Sequence, residues 1–265
     1  MIENEKDKKI IQEVLEKVNE SYIEHKYFTD GADSKVILLN NKYLIKQNNS
    51  ASIKAEIQFF QSTFSTFFQK IVYYSPYFEF VVYDFIPGKP MKKITSSKEI
   101  FSKILEVSKA FSKTSFPGFG YLGEEFDTWS EFLTHEAFHR PNIDDIDKQI
   151  VLNAIKNLEK YPFNKKLIHG DFGTHNFIEN NEKFIGIIDP QPILGDSLYD
   201  ILFAICSNIS LLNTYTLDEL YLLIDEAKEK IKSMLIVVLY ARISRALKYH
   251  PIDIPAYLDY FNSII

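Results

Sequence analysis

The sequence predicts an α+β fold in two lobes, with a small antiparallel-sheet lobe over residues 1–87 and a larger, mostly helical lobe over residues 88–265. Three observations predict it. Short apolar runs broken by turn residues cluster between Val36 and Tyr83, the pattern of strands and hairpins. After Pro87-Gly88 the apolar residues recur at helical spacing instead. One stretch, Ile168 to Asp189, interrupts the helical pattern with short strand-like runs that carry Asp171, Asn176 and Asp189.

In the first lobe, Ile10, Ile11, Val14, Leu15 and Val18 place one apolar stripe on a helix over residues 4–20. Val36–Leu39 and Lys42–Lys46 read as a hairpin closed by Asn40-Asn41, because asparagine tolerates the positive φ such turns demand. The preceding Thr29–Ser34 has the single Gly31 and reads as a turn. Lys46 ends its strand, and a lysine there is most often simply solvated. A helix with Glu56 follows, then strands at Ile71–Tyr73 and Phe80–Tyr83, and a change of direction at Asp84-Phe85-Ile86-Pro87-Gly88.

In the second lobe, Ser96 with Glu99 and Thr128 with Glu131 have the spacing of capping boxes at helix starts. The first of these helices is expected to reach Thr114, and a further helix is expected from Asp145 to Tyr161. Acidic residues gather between Glu124 and Asp147, as a solvated face or as a wall facing a cationic ligand. A helix should start near Ser197, with Asp196 as its cap or as a substrate contact. Three more are expected at 217–231, 233–249 and 255–264. Cys206 falls in a buried helical run and reads as a core thiol. His135, His139 and His169 are read without a cysteine cluster or an H-E-x-x-H helix beside them, and are not expected to bind zinc.

The stretch His169-Gly170-Asp171-Phe172-Gly173-Thr174-His175-Asn176 carries the chemistry. Asp171 and Asn176 are five apart, the spacing of the kinase catalytic loop H-R-D-x-x-x-x-N, with Gly170 in place of the arginine. Asp189 follows the apolar run Phe184–Ile188, where a metal-binding aspartate would follow its strand. Phosphoryl transfer needs a carboxylate to orient a hydroxyl and take its proton, and oxygen ligands to hold Mg²⁺ against phosphates. Asp171 suits the first task; Asn176 and Asp189 suit the second.

With IIDPQPILGDSLYDI after it, this loop resembles the aminoglycoside phosphotransferase family of small-molecule kinases, the hygromycin and streptomycin phosphotransferases in particular. The resemblance implies a bilobal, protein-kinase-like fold with ATP or GTP bound in the cleft. It implies that Lys46 meets the nucleotide phosphates and is held by Glu56, with Glu79 as a weaker alternative. It further implies that the loop with Ser34 lies over the phosphates, that the Asp84 carbonyl and Ile86 N–H face the adenine, and that Asp200 supports the catalytic loop from below. The acceptor would be a hydroxyl of an aminoglycoside-type antibiotic, with a sugar, amino alcohol or glycated amine as the alternative. A nucleotide-binding pseudokinase is the reading of a different class. No A-P-E segment follows Asp189, which argues against a protein kinase.

Composition limits the partners. A net charge of −6 and a pI near 5.6 disfavour nucleic acid and suit a small cationic acceptor, although mild acidity also serves solubility. The longest apolar run, Met234–Ala241, is too short to span a bilayer, so no membrane association is expected. The charged start, MIENEKDKK, lacks a signal-peptide core and predicts a cytoplasmic protein. The cofactors that the resemblance implies are Mg²⁺ and ATP or GTP as phosphoryl donor.

Overall fold

The structure, a computed structural model, describes residues 4–28, 34–63, 65–91, 97–124, 126–139, 143 and 146–265. The chain divides into two compact units. One takes in the residues up to Lys89 together with Ile178–Ile188; the other takes in Pro90–Phe177 and Asp189–Ile265.

The first unit begins with helix α1 (Glu5–Val18), capped by the Asn4 side chain and ended by Asn19 in the left-handed region, φ 54°. Strands β1 (His25–Phe28), β2 (Lys35–Leu39) and β3 (Tyr43–Gln47) follow, then helix α2 (Ser50–Ser62) and strands β4 (Ile71–Tyr74) and β5 (Phe80–Asp84). The five strands form an antiparallel sheet in the order β1-β2-β3-β5-β4. The β2–β3 turn has both Asn40 and Asn41 at positive φ, 54° and 52°. Lys42 N–H closes it on Leu39 O at 3.0 Å, and the ladder resumes at Leu39–Tyr43. Lys42 is therefore an extra turn residue and not, as expected, the first of the strand.

Strand alternation covers both faces of this sheet. Tyr43, Ile45, Phe80 and Val82 pack with Ile10, Ile11 and Val14 of α1. Leu44, Val81 and Tyr83 point the other way, to Ile53 and Ile57 of α2. Asp7, in the first turn of α1, is buried and accepts bonds from Tyr27 Oη at 2.9 Å, Lys35 Nζ at 2.5 Å and Gln47 Nε2 at 3.1 Å. One acid thus ties the helix to three strands.

After the short strand β6 (Lys89–Pro90), the second unit contains α3 (Ser97–Ser108), β7 (Ser112–Lys113), β8 (Gly120–Tyr121), α4 (Trp129–Phe138), α5 (Lys148–Leu158) and β9 (Lys166–Ile168). Strands β10 (Phe177–Asn180) and β11 (Lys183–Ile187), which from Ile178 onward belong to the first unit, precede β12 (Ile193–Gly195), α6 (Ser197–Cys206), α7 (Thr216–Leu223), α8 (Lys228–Tyr249) and α9 (Ile254–Ile264) of the second. Strands β7, β9, β12 and β8 form one sheet in that order, and β11, β10 and β6 another. Helix α8 is buried along most of its length and packs against α4, α5, α6, α7 and α9.

Trp129 sets the spacing between α4 and β12. It stacks on Phe132 with ring centroids 5.0 Å apart, and a Cβ on Gly195 would meet its ring at 2.3 Å, so only glycine fits that strand position. The Thr128–Glu131 capping box forms as expected. Ser96 and the expected helix start at Asp145 lie outside the described residues; α5 has Asp147 as its cap.

Helix α3 stops at Ser108, short of Thr114, because Ser112 and Lys113 join β9 as a strand. The helix expected at 217–231 is two helices. Helix α7 ends at Leu223, and Lys228–Ile231 form the start of α8. No proline or glycine marks that break. Among the described residues no helix is long and apolar enough to cross a membrane.

Candidate active site

Strand alternation also fixes Lys46. It lies two residues beyond Leu44 on the α2 face, beside Val81 and Tyr83. There its Nζ meets Glu56 Oε1 at 2.5 Å, and Tyr83 Oη donates to Glu56 Oε2 at 2.8 Å. Both members of the pair are buried, at 9% and 4% side-chain exposure. The solvated-lysine alternative therefore does not describe Lys46. Glu56 rather than Glu79 is the acid beside it, and the ten-residue connection is long enough because α2 starts four residues past Lys46.

In the second unit, the segment after β9 turns sharply at Gly170. Its φ is +78°, and a Cβ there would lie 1.8 Å from Gln191 O. Gly170 thus provides both a left-handed turn and a close backbone approach that no other residue allows. Gln191 N–H donates to His169 O at 2.8 Å, which sets the segments carrying Asp171 and Asp189 side by side.

Helix α6 holds this loop from two places. Asp200, fully buried, accepts the Gly170 N–H at 3.1 and 3.0 Å. Ser207 Oγ, just past the helix, accepts the Thr174 N–H at 2.9 Å. Phe172 anchors the middle, packed in the core against Phe111 and Phe177. Ser207 has no signal in the sequence that would have singled it out.

On this support Asp171 and Asn176 meet. Asn176 Nδ2 donates to the Asp171 backbone oxygen at 2.8 Å and to Asp171 Oδ2 at 3.0 Å. His175, half-exposed, brings Nε2 to 3.3 Å from the same Oδ2. Burial pushes the Asp171 carboxyl up, but the His175 hydrogen bond and the electrostatic influence of His175, His169 and Arg245 outweigh it, and its pKa falls to about 2. Asp171 is accordingly ionised at neutral pH. His175 is thus in contact with the acid itself.

Asp189 is exposed and adopts φ +61°, an uncommon conformation for a residue other than glycine, asparagine or aspartate. Asp196 is the helix cap and not a free acid: it accepts Leu198 N–H at 3.0 Å and pairs with Lys230 Nζ at 3.0 Å. Glu136, counted above with a surface run, is buried and pairs with Arg245 at 2.6 Å. Of the remaining expected contacts, Ser34 is half-buried before β2, and the rest of its loop, 29–33, lies outside the described residues. Asp84 closes β5, where its N–H bonds Lys70 O at 2.9 Å, and Ile86 is half-buried just beyond.

Contrary to expectation, the histidines do not lack an H-E-x-x-H helix: residues 135–139 are His-Glu-Ala-Phe-His, with His135 and Glu136 in the last turn of α4 and His139 as its C-cap.

No family model matches the chain. A 104-residue stretch is 30% identical to hygromycin-B 4-O-kinase of Escherichia coli, spanning 34% of this chain and 30% of that relative's length. Among solved structures, the chain is similar to a thermostable mutant of aminoglycoside phosphotransferase APH(4)-Ia in ternary complex with AMP-PNP and hygromycin B. That likeness has a TM-score of 0.65 at 16% identity and covers 96% of this chain and 97% of that one. It is similar also to the GDP complex of aminoglycoside 2'-phosphotransferase-IIIa, with a TM-score of 0.60 at 13% identity, covering 99% and 98%. The chain thus has the α+β fold of the aminoglycoside phosphotransferases, and the resemblance read from its sequence is borne out.

Proposed function

We propose that this chain, built on the aminoglycoside phosphotransferase fold, is an O-phosphotransferase that moves the γ-phosphoryl of ATP or GTP to a hydroxyl of an aminoglycoside-type antibiotic. The observation that carries the reading is Asp171, ionised and fixed by Asn176 within a loop tied to α6 at Gly170 and Thr174. A carboxylate so fixed is suited to orienting an acceptor hydroxyl. In the reaction the acceptor oxygen bonds to the γ-phosphorus as the bond to the β–γ bridging oxygen breaks. The nucleoside diphosphate leaves, and Asp171 takes the hydroxyl proton late in a loose transition state. A carboxyl near 2 is a weak base, which suits late transfer.

Asn176 and Asp189 fit a hard divalent cation. The Asn176 amide nitrogen is turned to Asp171, which leaves its carbonyl oxygen as a neutral ligand, and Asp189 supplies an exposed carboxylate. Mg²⁺ held there would neutralise charge on the β- and γ-phosphates. Lys46, oriented by Glu56, would bind the phosphates; Ser34 would add a hydroxyl donor, and the Asp84 carbonyl and Ile86 N–H would take the adenine edge. The chain's net negative charge and the hygromycin kinase it partly matches support a small cationic acceptor rather than nucleic acid.

The test is nucleoside diphosphate release by the purified chain with Mg²⁺ and ATP or GTP. The panel holds hygromycin B, streptomycin, other aminoglycosides, amino sugars and amino alcohols, with Asp171→Ala as the control. Turnover on an aminoglycoside that the control lacks is the expected result. Turnover confined to the metabolites would replace the antibiotic by a metabolic acceptor, and nucleotide binding without turnover would sink the enzyme reading.

A further inference from the structure

We propose that His135 and His139 form a binding site for a divalent transition-metal ion on the last turn of α4, separate from the magnesium ligands and independent of the phosphotransferase reading. The two residues are one helical turn apart and exposed on the same face. Their rings lie parallel, 7° between planes and 4.4 Å between centroids. The ligating atoms of His135, Glu136 and His139 all fall within 4.8 Å of one another. A tetrahedral ion with nitrogen ligands at about 2.0–2.1 Å needs donors roughly 3 Å apart. Exposed imidazoles reach that separation by rotating about their side-chain bonds, with no movement of the helix.

The tautomer is already set. His139 Nδ1 lies 2.7 Å from the His135 backbone oxygen, so Nδ1 carries the proton and donates it. Its Nε2 lone pair is then directed outward, the second-shell arrangement common to metal-binding histidines. His139 is also the C-cap of α4, where the negative end of the helix dipole favours a cation. The site opens on a groove of about 890 Å³ between α4 and α5, with Phe126 against the His135 ring at 5.1 Å. Water or an incoming ligand can complete the coordination from that side.

The spacing is that of zinc proteases, in which the intervening glutamate acts as a general base. Glu136 is not available for that task. It is 1% exposed, with Tyr121 Oη at 2.8 Å on one oxygen and Arg245 at 2.6 Å on the other. Its nearer oxygen lies 4.0 Å from His135 Nδ1, as a neighbouring negative charge that favours a cation. The site is therefore a binding site and not a hydrolytic one. Imidazole ligands select zinc, nickel or copper over magnesium, so the two cation sites differ in chemistry as well as in place.

The test uses the full chain, free of any polyhistidine tag and stripped with chelator, titrated with Zn²⁺ by calorimetry in the presence of excess Mg²⁺. One zinc site per chain is expected. His135→Gln and His139→Gln should each weaken it at least about 10-fold and the double variant should abolish it, whereas Asp189→Asn should leave it unchanged. A second readout needs no variant: substoichiometric Cu²⁺ should broaden the imidazole NMR signals of His135 and His139 ahead of those of the other four histidines. Absence of zinc binding, equal binding by the double variant, or uniform broadening of all the histidines would overturn the proposal.

Discussion

Both carboxylate oxygens of Asp200 lie within 3.1 Å of one N–H, that of Gly170, directly before the candidate catalytic acid. Removing the acceptor leaves that buried N–H unsatisfied. Asp200→Ala should cost about 1–3 kcal/mol of stability and lower turnover more than it raises KM, since the defect lies in positioning Asp171. Urea denaturation beside steady-state kinetics checks this, and an unchanged turnover number would refute the positioning role.

The same residue predicts a pH effect. Burial pushes the Asp200 carboxyl up to about 7, against the backbone N–H groups of Gly170 and His169, and the charge of Asp171 adds to the rise. Between 3.8 and about 7 the folded chain keeps a proton that the unfolded chain has lost. This group's contribution to stability is therefore full at low pH and falls as pH rises through that window. Asp200→Asn cannot titrate and should show a flatter dependence. Tm followed for both proteins from about pH 4 to about pH 8 decides it, and parallel curves would count against the raised value.

Lys46 and Glu56 form a buried pair, and removing one partner strands the other. Lys46→Met should cost about 3–5 kcal/mol, while Lys46→Met combined with Glu56→Met should cost less than either change alone. Chemical denaturation of the three variants measures this coupling. Simple additivity would show that the pair contributes nothing as a pair.

Gly170→Ala combines a left-handed backbone with a Cβ placed 1.8 Å from Gln191 O. A loss of roughly 2–4 kcal/mol is expected, with activity falling further because the Asp171 and Asp189 segments must separate. A variant with native Tm would show that the backbone approach at Gln191 is not required.

Much of the fold and the site was legible because local chemistry determined it. Asn40-Asn41 marked its turn by tolerance of positive φ, and Thr128 with Glu131 marked a helix start. The five-residue step from Asp171 to Asn176 identified a loop whose two ends meet. What was missed depended on distant partners. Strand β1 alternates half-buried and exposed positions over only four residues, too short for a periodic signal, and exists because β2 is beside it. Glu136 read as surface because its burial comes from Arg245, 109 residues later. The end of α7 has no breaker residue in the sequence, so the apolar pattern ran on through it. The His135–His139 spacing is different: it was plainly readable, and what only the structure supplies is the engagement of Glu136 that separates it from a protease site.

Trp129 is the chain's single tryptophan, and it is packed against Phe132 and Gly195 in the second unit. Its fluorescence is therefore an unlabelled optical reporter for that unit alone, whereas tyrosines signal from both. Comparing the two emissions during one unfolding experiment tells whether the units melt together or in sequence. Because Trp129 shares α4 with His135, a quenching ion such as Cu²⁺ would also be visible in the same channel.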